Sequence, residues 1–176
     1  KSILDIKLEK VSNDTYLKIF DSNIHQSVLK PDNYDILKSE INLSLENEKY
    51  NLETGIISYE NLQKKNNDRY EYTLPYYDFS SNFLFDNFCS IELSSVGNNN
   101  LSNTNNLKSS IINDLNFTSN NNINENFFFK NNLNIYFKNL NTYGKNDTKY
   151  KDSVQSQLMG MFEIISEMPL IKRDQN

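Results

Sequence analysis

Between Leu107 and Lys138 the chain alternates greasy and polar residues far longer than an ordinary strand requires. Leu107, Ile111, Leu115 and Phe117 fall on one parity, and Lys108, Ser110, Asp114 and Asn116 on the other. Further on, Phe127, Phe129, Leu133, Ile135 and Phe137 oppose Lys130, Asn132, Asn134 and Lys138. Successive side chains of a strand point to opposite sides of a sheet, so a period of two marks a strand with two unlike faces. The pattern recurs along the chain. Leu4, Ile6 and Leu8 alternate with Asp5, Lys7 and Glu9, and Ile41, Leu43 and Leu45 with Asn42, Ser44 and Glu46. Tyr50, Leu52 and Ile56 share a face, as do Tyr70, Tyr72, Leu74 and Tyr76, then Cys89, Ile91 and Leu93. Eight strands are predicted, near 3–11, 36–46, 50–60, 69–77, 87–96, 107–118, 127–140 and 157–168. The last, with Met159 and Met161 out of phase, also reads as a short helix.

Several runs reach about 10 residues, against roughly 5–6 for an average strand. A tilted strand crossing a bilayer needs about 9–11 residues. The expected fold is therefore all-β, an antiparallel meander of about eight strands forming part of a large transmembrane β-barrel. A barrel strand is apolar on one face only, so hydropathy alone reads such a chain as soluble. No apolar run approaches the roughly 20 residues of a transmembrane helix.

Composition narrows the field. The chain lacks Ala, the best helix former, and is rich in Tyr and Phe, which favour strands. Its 31 Asn residues raise the question of disorder. Clusters at Asn98–Asn100 and Asn120–Asn122 are expected to be turns, because Asn tolerates left-handed backbone angles. Asn, Lys, Ile, Tyr and Phe also share AT-rich codons, so part of the bias is genomic. A net charge of -5 argues against a general grip on nucleic acid. The single Cys89 excludes an internal disulfide framework and a cysteine zinc site. The chain starts at Lys1, without an initiator Met, and is read as a piece of a longer protein.

The first, third, fifth and seventh connections (12–35, 61–68, 97–106, 141–156) are expected to be longer than the second, fourth and sixth (47–49, 78–86, 119–126). Outer-membrane barrels alternate long extracellular loops with short periplasmic turns. In that phase Pro75 and Pro169 fall at periplasmic strand ends, where a missing ladder donor is tolerated.

On this frame several phrases resemble one family. "KLEKVSNDTYLKIFD" (Lys7 to Asp21) resembles the early barrel region of the lipopolysaccharide-assembly outer-membrane proteins, the LptD/OstA family. "YENLQKKNNDRYEYTLPYYDF" (Tyr59 to Phe79) is similar to a family hairpin closing on Leu-Pro. "NTNNLKSSIINDLNFTS" (Asn103 to Ser119), "IYFKNLNTYGKN" (Ile135 to Asn146) and "SEMPLIKR" (Ser166 to Arg173) are similar to later strands, in the same order. The resemblance implies that residues 1–176 are a segment of the barrel domain, without the family's N-terminal periplasmic domain or its remaining strands. It implies outer-membrane localisation and transport of lipopolysaccharide to the outer leaflet. The implied partners are lipopolysaccharide, the plug lipoprotein LptE, the periplasmic bridge protein LptA and outer-membrane lipids. No gate residue and no disulfide carries over.

Candidate reactive residues are few. Cys89 reads as a small hydrophobe on an apolar face, since nothing basic adjoins it to lower its pKa. His25 stands alone in a polar connection. Glu46, Glu48, Glu53 and Glu60 read as solvated charges at a wet lumen or rim. No nucleophile–base pair and no Gly-rich phosphate loop is present, so no enzyme activity and no cofactor is predicted. Lys64, Lys65 and Arg69 gather in one outward connection, where they meet lipopolysaccharide phosphates or simply solubilise the loop. Another outer-membrane barrel, porin- or adhesin-like, and a soluble β-sandwich binding module remain rival readings.

Overall fold

Strands form where the alternation predicts them: β1 (Ser2–Lys7), β2 (Ile36–Glu46), β3 (Tyr50–Asn61), β4 (Tyr70–Phe85), β5 (Cys89–Ser102), β6 (Asn106–Asn120), β7 (Lys130–Lys145) and β8 (Gln155–Glu167). A one-turn helix α1 (Tyr16–Ile19) and a 3-10 turn (Asn66–Arg69) complete the elements. The structure is a computed structural model that describes residues 1–19, 31, 33–85, 89–103, 105–120 and 130–167, the side chains of 66, 67, 120 and 130 excepted. His25, Asn121, Asn122, Phe127, Phe129, Met168 and Pro169 lie outside the described residues.

Each strand pairs antiparallel with its sequence neighbour, in the order β1 to β8 within one sheet. The sheet is open: β1 pairs with β2 and β8 with β7, so the eight strands do not close on themselves. Nor is there a second sheet to make a sandwich among the described residues. The final segment is a strand, not a helix, because β7 supplies a continuous ladder from Lys130↔Glu167 to Thr142↔Gln155.

Three expectations are corrected. The Asn98–Asn100 cluster lies within β5 instead of forming a turn. Neighbouring strands give these amides partners: Ser110 Oγ donates to Asn98 Oδ1 at 3.1 Å, and Thr73 Oγ1 to Asn100 Oδ1 at 2.8 Å. Cross-strand polar pairing overrides the turn preference of Asn. Because β5 runs on to Ser102, the fifth connection is only 103–105, shorter than the sixth at 121–129, and the predicted alternation of loop lengths breaks there. Asn turn chemistry appears instead at Asn103 and Asn146, with φ of 51° and 55°.

Pro75 is the third correction. It sits inside β4, not at a strand end. The β3 ladder passes from Gly55↔Tyr76 to Ile57↔Thr73, and the β5 ladder from Asn98↔Tyr76 to Asn100↔Thr73. Leu74 and Pro75 thus form a bulge, the one interior place where a residue without an N–H costs no ladder bond. The extra residue reverses parity, so Tyr70 and Tyr72 do not share a face with Tyr76 as the sequence pattern suggests. Tyr77 takes over that face.

Glycines sit where aromatic rings lie flat on the sheet. A Cβ at Gly97 would fall 2.3 Å from the Tyr77 ring, and one at Gly160 3.3 Å from the Phe137 ring. At Gly55 a Cβ would meet Ile41 O at 2.3 Å and the Tyr76 hydroxyl at 2.9 Å. The aromatic residue stands directly opposite its glycine in each pair and supplies the side chain that the glycine lacks.

Buried apolar side chains are nearly confined to one end. Leu17 of α1, Leu37 of β2 and Leu62 pack together, with Val11 and Tyr34 against them. The rest of the sheet is a single layer. We predict that Gly55→Ala, which presses a methyl on the Ile41 carbonyl, lowers stability by about 1–3 kcal/mol. Gly160→Ala, which meets only a movable ring, should lose less. Urea unfolding of the two variants checks this; equal losses would refute the backbone contact.

Candidate functional site

The register assigns each strand side chain to one of two faces. The first face carries Leu4 and Ile6, Ile41, Leu43 and Leu45, and Leu52 and Ile56 on β1 to β3. It continues through Phe79, Phe83 and Phe85 on β4, then Ile91 and Leu93, Leu115 and Phe117, and Ile135 and Phe137. Phe162 and Ile164 end it on β8. The second face carries Asp5 and Lys7, Lys38, Glu40 and Glu46, Glu53, Asp78, Glu92, Lys108 and Asp114, Lys138 and Glu163. Among described strand side chains, the first face holds only two charges, Glu60 and Lys145. Both stand at the same end of the sheet, where β3 and β7 finish.

Charges on the second face are paired along and across strands. Lys38 meets Glu40, and Lys138 lies 3.5 Å from Asp114. Asn42 Nδ2 donates to Glu53 at 2.9 Å, and Asn134 Nδ2 to Glu163 at 3.0 Å. A depression of about 270 Å³ reaches from Lys49 past Ser80, Asn82 and Glu92 to Asp114 and Asn116. That hollow touches neighbouring strands from β3 to β6. On the first face Phe137, Phe162 and Ile164 are 47, 74 and 63% exposed.

The end bearing Glu60 also holds a clasp. Arg69 Nη1 and Nη2 donate to Asp14 Oδ2 and Oδ1 at 2.9 and 2.6 Å, while Nε donates to Glu60 Oε1 at 2.7 Å. The Tyr70 hydroxyl donates to the same Glu60 oxygen at 3.1 Å. A forked guanidinium matches a carboxylate edge-on, so the clasp fixes the turn before α1 over the β3–β4 hairpin. The Arg69 hydrogen bonds hold the Asp14 carboxyl below its usual range and hold Arg69 firmly protonated. Lys18 likewise meets Asp35 at 2.8 Å and lowers its pKa. In the last connection, the backbone N–H groups of Tyr150 and Lys149 reach Asp147 Oδ1 at 2.7 Å and depress it too.

Of the cations predicted to gather, Arg69 is occupied by two carboxylates and Lys64 lies 3.7 Å from Glu71, while Lys65 is exposed. Asp14, remote in sequence, is the partner that periodicity could not reveal. Glu53 faces the polar side as expected, whereas Glu60 belongs to the first face and the clasp. Cys89 opens β5, half-buried on the first face opposite Phe85 and Ser119, with its thiol free. No group of three or more metal-ligating side chains is gathered among the described residues.

No protein-family model, curated protein or solved structure matches this chain. What fold and faces define is a class by geometry: a single-layer antiparallel meander with all but two of its described strand charges on one side.

The Asp14 shift has a definite sign. A carboxylate whose folded pKa is depressed contributes stability above its unfolded value near 3.8, and loses it as pH falls through the lower folded value. Carboxyl-labelled NMR should show Asp14 titrating below 3.8, with Arg69→Gln returning it to the ordinary range. An Asp14 midpoint that ignores the substitution would refute the clasp.

Proposed function

We propose that this chain is a segment of an outer-membrane β-barrel that works as a conduit and scaffold, not as an enzyme. The observation that carries this reading is the concentration of strand charge on one face of a single sheet, with only Glu60 and Lys145 of the described strand charges on the other. Hydrocarbon tolerates no unpaired charge and water does not favour bare Phe and Ile, so each face suits a different solvent. Strands of 11 to 16 residues from β2 to β7 are long enough to cross a bilayer when tilted. Nearest-neighbour pairing is the topology of barrel walls, and the free edges at β1 and β8 suit a wall that continues into further strands.

Within that class we assign the segment to the lipopolysaccharide-assembly barrel, on the ordered phrases that resemble the LptD/OstA family. The reading brings lipopolysaccharide, the plug lipoprotein LptE, the bridge protein LptA and outer-membrane lipids as partners. The second face would then line a wet lumen. Contact with lipopolysaccharide phosphates would rest on Lys64 and Lys65, because Arg69 would first have to leave Asp14 and Glu60.

The test is a set of three substitutions in the native reading frame, one on the first face and two on the second, read as urea-dependent folding into lipid vesicles. Ile135→Arg, on the first face, should lose about 2–4 kcal/mol. Asn116→Ala and Asn134→Ala, on the second face, should stay within about 0.5 kcal/mol. Equal losses from both faces would end the membrane reading.

A further inference from the structure

The second face is polar, and its charge is one-sided. Glu71 and Glu167 join the eight carboxylates already placed there. Against these ten stand four described ammonium groups, Lys7, Lys38, Lys108 and Lys138. The first face has one charge of each sign, Glu60 and Lys145. A chain of net charge -5 thus carries a marked carboxylate excess on one side of its sheet.

The lysines leave most of this excess uncompensated. Lys38 meets Glu40, Lys7 lies 3.1 Å from Glu9 just past β1, and Lys138 lies 3.5 Å from Asp114. The Lys108 ammonium lies 5.2 Å from the centre of the Tyr150 ring. Among the described residues no cationic side chain pairs with Glu46, Glu53, Asp78, Glu92 or Glu163. Glu53 and Asp78 stand directly opposite each other on β3 and β4, an arrangement that costs stability unless cations from solution screen it. The hollow sharpens the field. Glu48, Glu92 and Asp114 line it, with Lys49 as the single lining cation among the described residues. Ser80 and Ser94 oppose each other within it and bring no charge. A concave surface lined by one sign of charge gathers counter-ions, because protein walls of low dielectric focus the field lines.

Resting on the membrane reading above, we infer that the second face makes the aqueous passage it lines selective for cations. Small cations and amine-bearing solutes are drawn to the wall from β3 to β6, and phosphate- or carboxylate-bearing solutes are turned away from it. Rings of Asp and Glu select cations in channels on the same principle. Selectivity here belongs to the face as a whole and not to a coordination site, since no group of three or more metal-ligating side chains is gathered among the described residues. An anionic partner would therefore be met outside the strands, as at Lys64 and Lys65.

Charged methanethiosulfonates read this field directly. In a Cys89→Ser background, a Ser94→Cys variant of the membrane-inserted protein is made in the native reading frame. Its rates with a trimethylammonium reagent and with a sulfonate reagent are each divided by the rate with a small free thiol, so the reactivity of the thiol itself cancels. The normalised ratio should favour the cationic reagent by about tenfold or more at low salt. It should fall by about threefold or more in roughly 1 M salt, where the screening length is short. Glu92→Gln combined with Asp114→Asn should lower it by about as much. The salt arm alters no charged residue, so it decides the matter even where that variant fails to fold. An Ile135→Cys variant should react with neither reagent. A ratio near one at Ser94→Cys, a preference that ignores salt, or no reaction there with either reagent would overturn the selectivity. An unreactive Ile135→Cys would then leave the membrane reading standing. Ready reaction of Ile135→Cys with both reagents would overturn both.

Discussion

A sheet one layer thick has no interior of its own. Its backbone is satisfied strand to strand, but its side chains must find their environment outside the layer. In this protein every strand from β2 to β7 is laddered to a neighbour on each side, and register is the organising quantity. A slip of one residue would carry Asp114 and Lys138 onto the face of Phe117 and Ile135. The unlike faces therefore specify the pairing as firmly as the ladder does. The side-chain pairs that cross strands, Asn42 with Glu53 and Lys138 with Asp114, reinforce the same register from the polar side.

Much of this was legible because alternation is a direct record of facing. Each predicted run overlaps one observed strand, although β1 stops at Lys7 and β4 continues to Phe85 through the expected fourth connection, and the assignments of Leu107, Ile111, Leu115 and Phe117 against Lys108, Ser110, Asp114 and Asn116 stand unchanged. What escaped was what alternation does not encode. Asn98 and Asn100 carry a turn propensity that only their partners on β6 and β4 override. The bulge at Leu74 and Pro75 is visible as a proline, yet its consequence is a reversal of facing that depends on two ladders at once. Before it, Tyr72 faces with Leu101; after it, Tyr77 faces with Gly97.

The clasp was less legible still. Arg69 drew notice as one of three cations in a connection, and charge count alone suggested an anionic visitor. The visitor it has is Asp14, across 55 positions of chain, with Glu60 on the other edge of the guanidinium. No local pattern announces a contact at that separation. The clasp and the Leu17–Leu37–Leu62 cluster do the same work from polar and apolar sides: they draw the first connection down onto the end of β2 and β3. That end is where the sheet ceases to be a bare layer, and it is also where both first-face charges stand.

The edge strand β8 tests how far the two-solvent rule extends. Its first face is apolar with Leu158, Phe162 and Ile164, but its second face carries Met159, Met161 and Ile165 beside Glu163. On β7 these face Lys138, Tyr136 and Asn132. Lysine and tyrosine offer an apolar stem or ring under a polar tip, so they can lie along methionine while their ends stay wet. Methionine is the apolar side chain that best adapts to such mixed surroundings. The second face thus turns greasy at this edge, where Met159 and Met161 are exposed. A neighbour seated against β8 would meet thioether and aliphatic surface on the second face and aromatic and aliphatic surface on the first.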